Sequence, residues 1–260
     1  MKLREFIDQK KINWWSMSRN PVNEAIRLLE ANQDKIDWDN LSYNPTPNAI
    51  KLLEANQEKI HWNYLSANPA DGAIKILEAN QEKIIWYFLS LNTSPGAIKL
   101  LEANQDKIDW VWLSRNPSAI KLLEAKQDKI DWGWLSLNTS PGAIKLLEAN
   151  QDKIDWVWLS RNSGAIKILE ANQDKIDWVW LSRNPSAIKL LEAKQDKIDW
   201  GWLSLNTSPG AINLLEANQE KINWCALSYN PAPEAIKLLE ANQEKIDWNM
   251  LSRNPSAIKL

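Results

Sequence analysis

The residue types most often used for catalysis are scarce in this sequence. It contains one histidine, His61, and one cysteine, Cys225. A cysteine nucleophile needs a base to form its thiolate, and no second histidine is present to activate it. Cys225 also occupies a variable position, which holds Val, Gly or Asn in equivalent segments. His61 stands where most segments have aspartate, so we interpret it as a helix cap or a solvated residue.

Acidic side chains are abundant, but they do not form a singular pair. Glu102, Glu124, Glu148 and Glu170 recur once in each successive segment, which is typical of a solvated helix face rather than of a general acid and its base. The sequence also has no glycine-rich phosphate loop and no metal-ligand spacing. We therefore predict that the protein is not an enzyme and uses neither a cofactor nor a metal.

Tryptophan and arginine, in contrast, occur at a spacing that suits recognition. In three segments a tryptophan precedes an arginine by three residues, so that on a helix the guanidinium can lie over the indole, for about 0.5–1 kcal/mol. In two alternate segments a leucine, Leu137 or Leu205, takes the place of the arginine. We name these positions the aromatic–arginine stripe, and its members are Trp112, Arg115, Trp134, Trp158, Arg161, Trp180, Arg183 and Trp202.

The stripe allows three interpretations. Its residues could pack against neighbouring segments and screen the core. Tryptophan and arginine are also enriched at the centres of protein interfaces, which favours binding of another protein. A row of aromatic rings could instead stack sugars or unpaired bases, although a net charge of −2 makes nucleic acid the weaker choice. We predict a scaffold for protein–protein interaction. The alternatives are a carbohydrate- or single-stranded nucleic-acid-binding module and a purely structural, self-assembling protein.

A tandem repeat must position this stripe. A framework tryptophan follows the motif Lys-Ile-x at intervals of 22 or 24 residues, and such a period is typical of repeat proteins. The two lengths differ only between an Asn and the next Ala-Ile, where we expect a surface turn. The eleven framework tryptophans are Trp14, Trp38, Trp62, Trp86, Trp110, Trp132, Trp156, Trp178, Trp200, Trp224 and Trp248.

Each repeat is predicted to contain two short helices. Asn116 is a suitable N-cap for the first, in which Ala, Ile and Leu form an apolar face over residues 119–123. An asparagine such as Asn104 is expected to close this helix in the left-handed conformation. Asp109 is predicted to cap a second helix that runs to about Arg115. Neither helix is long enough to be stable alone, so we predict an all-α fold, an α-solenoid of about eleven short two-helix repeats.

A leucine-rich repeat, which has a similar period, is the alternative fold. Its strand pattern would place a leucine position on residue 111. Other repeats have Asp39, Asn63, Gly133 or Asn249 at this position, and an uncompensated buried polar group costs about 1–3 kcal/mol. We therefore favour the helical repeat.

The tryptophans fall into two classes. The framework tryptophan occurs in every repeat. It is predicted to form a large apolar plug between consecutive repeats, whose truncation to alanine would cost about 3–5 kcal/mol. The position two residues later varies from Ser16 and Asn40 to Trp112, and this variability predicts a half-exposed side chain.

The repeat N-P-x-A-I-x-L-L-E-x-N-x-D-K-I-D-W-x-x-L-S-x-N resembles the short tandem repeats in proteins of giant, mimivirus-like DNA viruses. The match covers nearly the whole chain and departs where Thr-Ser-Pro-Gly replaces the Asn-Pro opening. The resemblance implies an α-helical repeat protein made in an infected host cell, and it carries over no activity and no functional residue. The high identity between repeats would also suit an engineered version. One unit that carries the resemblance contains Asn44-Pro45, Ala49-Ile50, Leu52-Leu53-Glu54, Lys59-Ile60, Trp62, Leu65-Ser66 and Asn68.

We predict a single repeat domain over residues 1–260. It consists of an atypical N-terminal capping repeat at 1–20, standard repeats at 21–253 and a truncated last helix at 254–260. The sequence has no apolar run that resembles a signal peptide or a membrane span, which predicts a cytoplasmic protein without a membrane partner, in the host-cell cytoplasm if it is viral.

The C-terminal end is predicted to mediate self-association. The last helix has no second helix after it, so that part of the preceding repeat keeps an exposed apolar face. A two-fold homodimer would bury this face, whereas a frayed last helix on a monomer is the alternative. The residues predicted to take part are Trp248, Leu251, Ile258 and Leu260.

Overall fold

The computed structural model describes residues 11–257, and within this range the protein is all-α, with no β-strand. The predicted fold class, an α-solenoid of short two-helix repeats, is confirmed. No helix in the described range is both long enough and apolar enough to cross a membrane. Residues 1–10 of the predicted capping repeat, together with Ile258 and Leu260, lie outside the described residues.

Each repeat contributes two α-helices and a 3-10 turn. The odd-numbered helices begin at a framework tryptophan: α1 (Trp14–Arg19), α3 (Trp38–Tyr43), α5 (Trp62–Ala67), α7 (Trp86–Leu91), α9 (Trp110–Arg115), α11 (Trp132–Ser136), α13 (Trp156–Ser160), α15 (Trp178–Ser182), α17 (Trp200–Leu203), α19 (Trp224–Tyr229) and α21 (Trp248–Leu251).

The even-numbered helices correspond to the first predicted helix of the repeat and carry its apolar face of Ala, Ile and Leu. They are α2 (Asn23–Glu30), α4 (Pro47–Ala55), α6 (Asp71–Ala79), α8 (Pro95–Ala103), α10 (Ile120–Ala125), α12 (Pro141–Ala149), α14 (Ile166–Ala171), α16 (Ile188–Ala193), α18 (Pro209–Glu216) and α20 (Pro233–Glu240). The 3-10 turns that follow them are Gln33–Lys35, Gln57–Lys59, Gln81–Lys83, Gln105–Lys107, Gln127–Lys129, Gln151–Lys153, Gln173–Lys175, Gln195–Lys197, Gln219–Lys221 and Gln243–Lys245.

The chain divides into two compact units, Met1–Asp131 and Trp132–Leu260, which we call unit 1 and unit 2. In unit 1 the odd-numbered helices from α1 to α9 form one row, and the even-numbered helices from α2 to α8 form a second row. In unit 2 the helices α11, α13, α15 and α17 form a row, and α16, α18 and α20 form another. The single repeat domain over residues 1–260 stays a prediction.

Leucines from both kinds of helix form the core of each unit. Leu41 and Leu53 in unit 1, and Leu159 and Leu169 in unit 2, are completely buried. Helices of four to nine residues are too short to be stable alone. The burial of these leucines against neighbouring repeats is therefore what keeps the helices folded.

The odd-numbered helices begin as the sequence predicts. Asp109 Oδ1 accepts a hydrogen bond from the backbone N–H of Trp112 at 3.2 Å, and α9 ends at Arg115. Asp155 and Asp177 cap α13 and α15 in the same way. A carboxylate at this position satisfies one of the free N–H groups of the first helical turn.

Two described repeats lack this cap, at His61 before α5 and at Ile85 before α7, and the first of them leads to a prediction. His61 precedes α5 without capping it, and its buried Nδ1 has no hydrogen-bond partner within the described residues. We expect His61→Asp to raise the free energy of unfolding by about 1 kcal/mol, because aspartate would accept the free N–H. Urea unfolding followed by circular dichroism measures this change. The reverse change, Asp109→His, is expected to lower the stability by a similar amount, and equal stabilities of all three proteins would contradict the capping argument.

The even-numbered helices do not begin where the sequence predicts. Asn116 follows the end of α9, and α10 starts only at Ile120, so the prediction that Asn116 is its N-cap is wrong. In a 24-residue repeat Ser94 caps α8 instead, because its Oγ accepts a hydrogen bond from the N–H of Ala97 at 3.3 Å. The extra residues of the longer repeats thus lengthen the helix, to nine residues in α8, rather than enlarging a turn.

The predicted left-handed closure of these helices is also wrong. Asn104 has φ −132° and ψ 52°, and no described non-glycine residue has a positive φ. The Nδ2 of Asn104 donates a hydrogen bond to the carbonyl oxygen of Leu100 at 3.0 Å. The side chain thus satisfies one terminal carbonyl of α8. The same backbone angles occur at Lys126, φ −135° and ψ 55°, so the closure itself does not depend on the asparagine side chain.

A buried serine joins each repeat to the next one. Ser42 Oγ donates to the carbonyl oxygen of Trp38 at 2.7 Å and accepts from the backbone N–H of His61 in the following repeat at 3.0 Å. Ser160 makes the same two bonds, to Trp156 and Asp177. Each serine therefore fixes the start of the next odd-numbered helix against the end of its own.

A buried asparagine follows each odd-numbered helix from α3 onward, and these asparagines form a second series of bonds. Asn68 Nδ2 donates to the carbonyl oxygens of Ser42 and Asn44 in the preceding repeat, at 3.0 and 3.1 Å. Its Oδ1 accepts from the backbone N–H of Ala70 at 3.0 Å. This arrangement, which we call the asparagine ladder, recurs at Asn44, Asn92, Asn116, Asn162, Asn230 and Asn254.

Candidate functional site

The framework tryptophans begin the odd-numbered helices that carry the candidate surface. They are half-buried in each repeat from Trp14 to Trp224, so the predicted apolar plug is wrong in one respect, since part of each indole stays accessible. The ammonium group of Lys59, from the following 3-10 turn, lies 4.8 Å from the centroid of Trp38. This cation–π contact lets a half-exposed indole be covered by a charged side chain.

The same contact recurs along both units. The further pairs are Lys83 with Trp62, Lys107 with Trp86, Lys153 with Trp132, Lys175 with Trp156, Lys221 with Trp200 and Lys245 with Trp224. Lys129 and Lys197 lie within 3.8 Å of the neighbouring aspartates instead. The lysine of the Gln-x-Lys turn is thus a structural residue that the sequence analysis missed, and its recurrence before every Ile-x-Trp was the available signal.

The odd-numbered helices α9 to α17 carry the aromatic–arginine stripe. Its five tryptophans are all half-buried, as the variability of their position predicts, and its three arginines are exposed. The tryptophan side chains follow the capping aspartates by three residues, so the caps fix the first turn from which the rings project.

In unit 2 the stripe is a continuous row of ring and guanidinium contacts. The rings of Trp134 and Trp158 stack at 6.3 Å with an interplanar angle of 15°. Arg161 lies between two rings, 5.0 Å from the centroid of Trp158 and 4.4 Å from that of Trp180 in the next repeat. The predicted contact between a tryptophan and the arginine three residues later is therefore present for Trp158 and Arg161.

The next arginine contacts a tryptophan ring of the following repeat. Arg183 lies 5.3 Å from the centroid of Trp202, which belongs to the following repeat. Trp180 and Trp202 also contact each other, with their centroids 5.0 Å apart. The interpretation that the stripe packs against neighbouring repeats is thus right for much of the ring surface, although each ring keeps an accessible part.

In unit 1 the first tryptophan of the stripe, Trp112, contacts another aromatic ring. Trp112 contacts Tyr87 edge to face, with centroids 5.1 Å apart, and Tyr87 contacts Phe88 at 4.8 Å. Arg115 is exposed at the end of α9. Tyr87 is not among the predicted residues of the stripe, because it lies one position earlier in its repeat than the tryptophans of the stripe.

Two arginines of unit 2 share a cleft of about 280 Å³. It is lined by Arg161, Trp180, Arg183, Asn184 and Pro185. Neither guanidinium forms an ion pair with a carboxylate in the described part of the chain. The cleft therefore presents two positive charges and several unused N–H donors beside an indole, a combination that suits a carboxylate or another anion.

The environment of Cys225 disfavours its thiolate. Cys225 is exposed, and its thiol donates a hydrogen bond to Asp247, which raises the pKa of the thiol. The backbone N–H of Met250 and then the Cys225 thiol lower the pKa of Asp247. A raised thiol pKa leaves less thiolate at neutral pH, the opposite of an activated nucleophile. No group of three or more His, Cys, Asp or Glu side chains among residues 11–257 is arranged to hold a metal ion.

The last described repeat has an open face. Trp248 is 64% exposed, the most of any framework tryptophan, and Leu251 is half-buried. A cleft of about 260 Å³ beside them is lined mainly by apolar side chains, including Leu239 and Ile246. Self-association through Trp248 and Leu251 stays a prediction, since the part of it that falls on residues 258–260 lies outside the described residues.

The geometry of the aromatic–arginine stripe and its cleft is the basis for a functional proposal. The chain matches no protein-family model, no curated protein and no solved structure.

Proposed function

We propose that the protein is a non-enzymatic repeat scaffold that binds another protein along the aromatic–arginine stripe of unit 2. The observation that carries this proposal is the cleft lined by Arg161, Trp180 and Arg183, in which neither arginine pairs with a carboxylate of residues 11–257. Arginine and tryptophan are the residues that most often dominate the binding energy of protein interfaces. A partner side chain that brings a carboxylate would complete their hydrogen bonding.

The alternative, a module that stacks sugars or unpaired bases, is less well supported. Stacking of a base needs an accessible ring face. The guanidinium of Arg161 lies 4.4 Å from the centroid of the Trp180 ring, and the centroid of the Trp202 ring lies 5.0 Å from the same point. Both groups already contact the ring of Trp180. The row combines half-buried rings with exposed guanidinium groups, which suit the mixed polar and apolar surface of a protein. A giant-virus or engineered origin and a location in the cytoplasm are part of the same proposal.

Affinity capture with matched variants tests the proposal. The wild-type protein is compared with Arg161→Gln/Arg183→Gln, which removes both guanidiniums and leaves every ring in place. The control variant, Lys167→Gln/Lys189→Gln, removes two exposed charges from even-numbered helices of the same unit. We expect a protein partner that the wild type and the lysine variant recover equally and the arginine variant recovers at least about tenfold less, as the loss of interface hot spots implies.

The outcomes separate the two functional classes. Equal recovery by all three proteins would contradict binding through the stripe. Binding to a glycan array or to single-stranded oligonucleotides that depends on Trp158 and Trp180, without any arginine-dependent protein partner, would favour the stacking module instead.

A further inference from the structure

Unit 1 contains a second cleft, of about 220 Å³, and none of its lining residues belongs to the stripe. Three aromatic rings line it: Trp15 from α1, Tyr43 from α3 and Tyr64 from α5. They belong to the exposed large hydrophobic residues of the described range, at 54, 40 and 43%. Tyr43 and Tyr64 contact each other edge to face, with centroids 6.5 Å apart. Exposed rings gathered around one cleft are a feature of binding sites rather than of scattered surface residues.

The same cleft contains two carboxylates. Asp37 is held in place because its Oδ1 accepts hydrogen bonds from the backbone N–H and the Nδ2 of Asn40, at 2.9 and 3.0 Å. Asp39 is exposed, and no other repeat has an acidic residue at its position. Neither carboxylate forms an ion pair with a cation in the range 11–257. Their negative charge is thus available to a ligand.

The cleft already shows one cation in contact with a ring. The guanidinium of Arg19 lies 5.6 Å from the centroid of Tyr43, and Arg19 is part of the lining. It is not within ion-pair distance of Asp37 or Asp39, so the cleft keeps a net negative charge. A second cation could reach the carboxylates and the rings of Trp15 and Tyr64, and it would compete with Arg19 for Tyr43.

We propose that this cleft binds the positively charged side chain of a peptide, a lysine ammonium or an arginine guanidinium. Aromatic rings within about 6 Å attract a cation through their electron-rich faces, and the two carboxylates add a Coulombic attraction that salt would weaken. The inference does not depend on the proposed function, because the residues, the unit and the sign of the ligand charge all differ from those of the stripe.

The test is an NMR titration of the full chain with short blocked peptides. The probes are Ac-Gly-Lys-Gly-NH2 and Ac-Gly-Arg-Gly-NH2, with Ac-Gly-Gln-Gly-NH2 as the neutral match and choline as a free organic cation. We expect at least one of the charged peptides to shift the signals of Trp15, Tyr43 and Tyr64, with the Gln peptide at least about threefold weaker. Equal binding of the Gln peptide, or no binding of either charged peptide, would overturn the proposal. Binding of choline alone would overturn a peptide side chain as the occupant.

Three variants sharpen this test with residues that the repeat itself tolerates. Asp39→Asn introduces the residue found at Asn63 and Asn249, and we expect binding of the charged peptide to weaken about threefold or more. Tyr43→Leu introduces the residue found at Leu91, with a similar loss expected. Arg19→Leu removes the competing cation, so that binding is expected to strengthen about twofold or more.

The third variant is the most discriminating one, because a merely structural role of Arg19 would weaken binding or leave it unchanged. Either of those results would overturn the proposed competition and with it the site. Glu58→Gln, an exposed charge in the 3-10 turn of the same unit, serves as the control and is expected to bind like the wild type. Thermal unfolding followed by circular dichroism checks that all variants are folded.

Discussion

Replacement of Asn92 by alanine is expected to lower the free energy of unfolding by about 3 kcal/mol. The Asn92 side chain is 4% exposed. Its Nδ2 donates to the carbonyl oxygens of Ser66 and Asn68 at 3.1 and 3.0 Å, and its Oδ1 accepts from the N–H of Ser94 at 3.0 Å. Alanine would leave these backbone groups buried and without their partner. Each such orphaned group costs about 1–3 kcal/mol, and partial relaxation reduces the sum.

Asn104 in the next repeat provides a matched control. It has one side-chain hydrogen bond, to Leu100 within its own helix, and two other repeats have lysine at this position with nearly the same backbone angles, φ −135° and ψ 55° at Lys126. We expect Asn104→Lys to change the stability by less than about 0.5 kcal/mol. Urea unfolding followed by circular dichroism gives both values, and amide hydrogen exchange localises the loss to the repeats that flank Asn92. A loss of less than about 1 kcal/mol for Asn92→Ala would contradict the argument, because it would mean that the backbone groups find other partners.

The asparagine ladder also shows which parts of the fold were predictable. Asp109 caps α9 through a bond to the residue three positions later, and an interaction of this range can be inferred from the local sequence. Asn116 was predicted to be a cap of the same kind. Its amide instead reaches the carbonyl oxygens of Ser90 and Asn92 in the preceding repeat. The repeat pattern shows that an asparagine recurs at this position. Only the stacking of the repeats determines which backbone groups its amide bonds to.

The candidate site was predictable to a similar extent. The spacing between Trp158 and Arg161 predicted their contact, because residues three apart lie on one face of a helix. The contact of Arg161 with Trp180 joins two repeats, and no local rule predicts it. The cleft of unit 1 was missed for the same reason. Its three rings occupy different positions within their repeats, so that no single column of the repeat contains them, and only the stacking of α1, α3 and α5 brings them together.

The second large expected effect is a loss of stability on truncating a framework tryptophan, compared with a neighbouring leucine. The smaller residue is expected to cost more to remove. Trp156→Ala is expected to cost about 2 kcal/mol, whereas Leu159→Ala, one turn later on α13, is expected to cost about 3–4 kcal/mol. Leu159 is completely buried, so its removal leaves a cavity inside the stack. Trp156 is half-buried, and Lys175 covers part of its ring, with Nζ 4.7 Å from the ring centroid. Water can replace that part of the contact at little cost.

Urea unfolding followed by circular dichroism measures both losses, since the signal of this method does not depend on the tryptophan that is removed. Lys175→Ala is the control for the covering side chain and is expected to cost about 0.5–1 kcal/mol, the value of an exposed cation–π contact. A larger loss for Trp156→Ala than for Leu159→Ala would restore the buried plug that the sequence predicts. The expected order instead assigns the cohesion of the stack to the leucines and the buried polar bonds, which leaves the outer surface of the odd-numbered helices free to vary from repeat to repeat. That freedom is what allows the same repeat framework to carry a pair of arginines in a cleft of unit 2 and a pair of carboxylates in a cleft of unit 1.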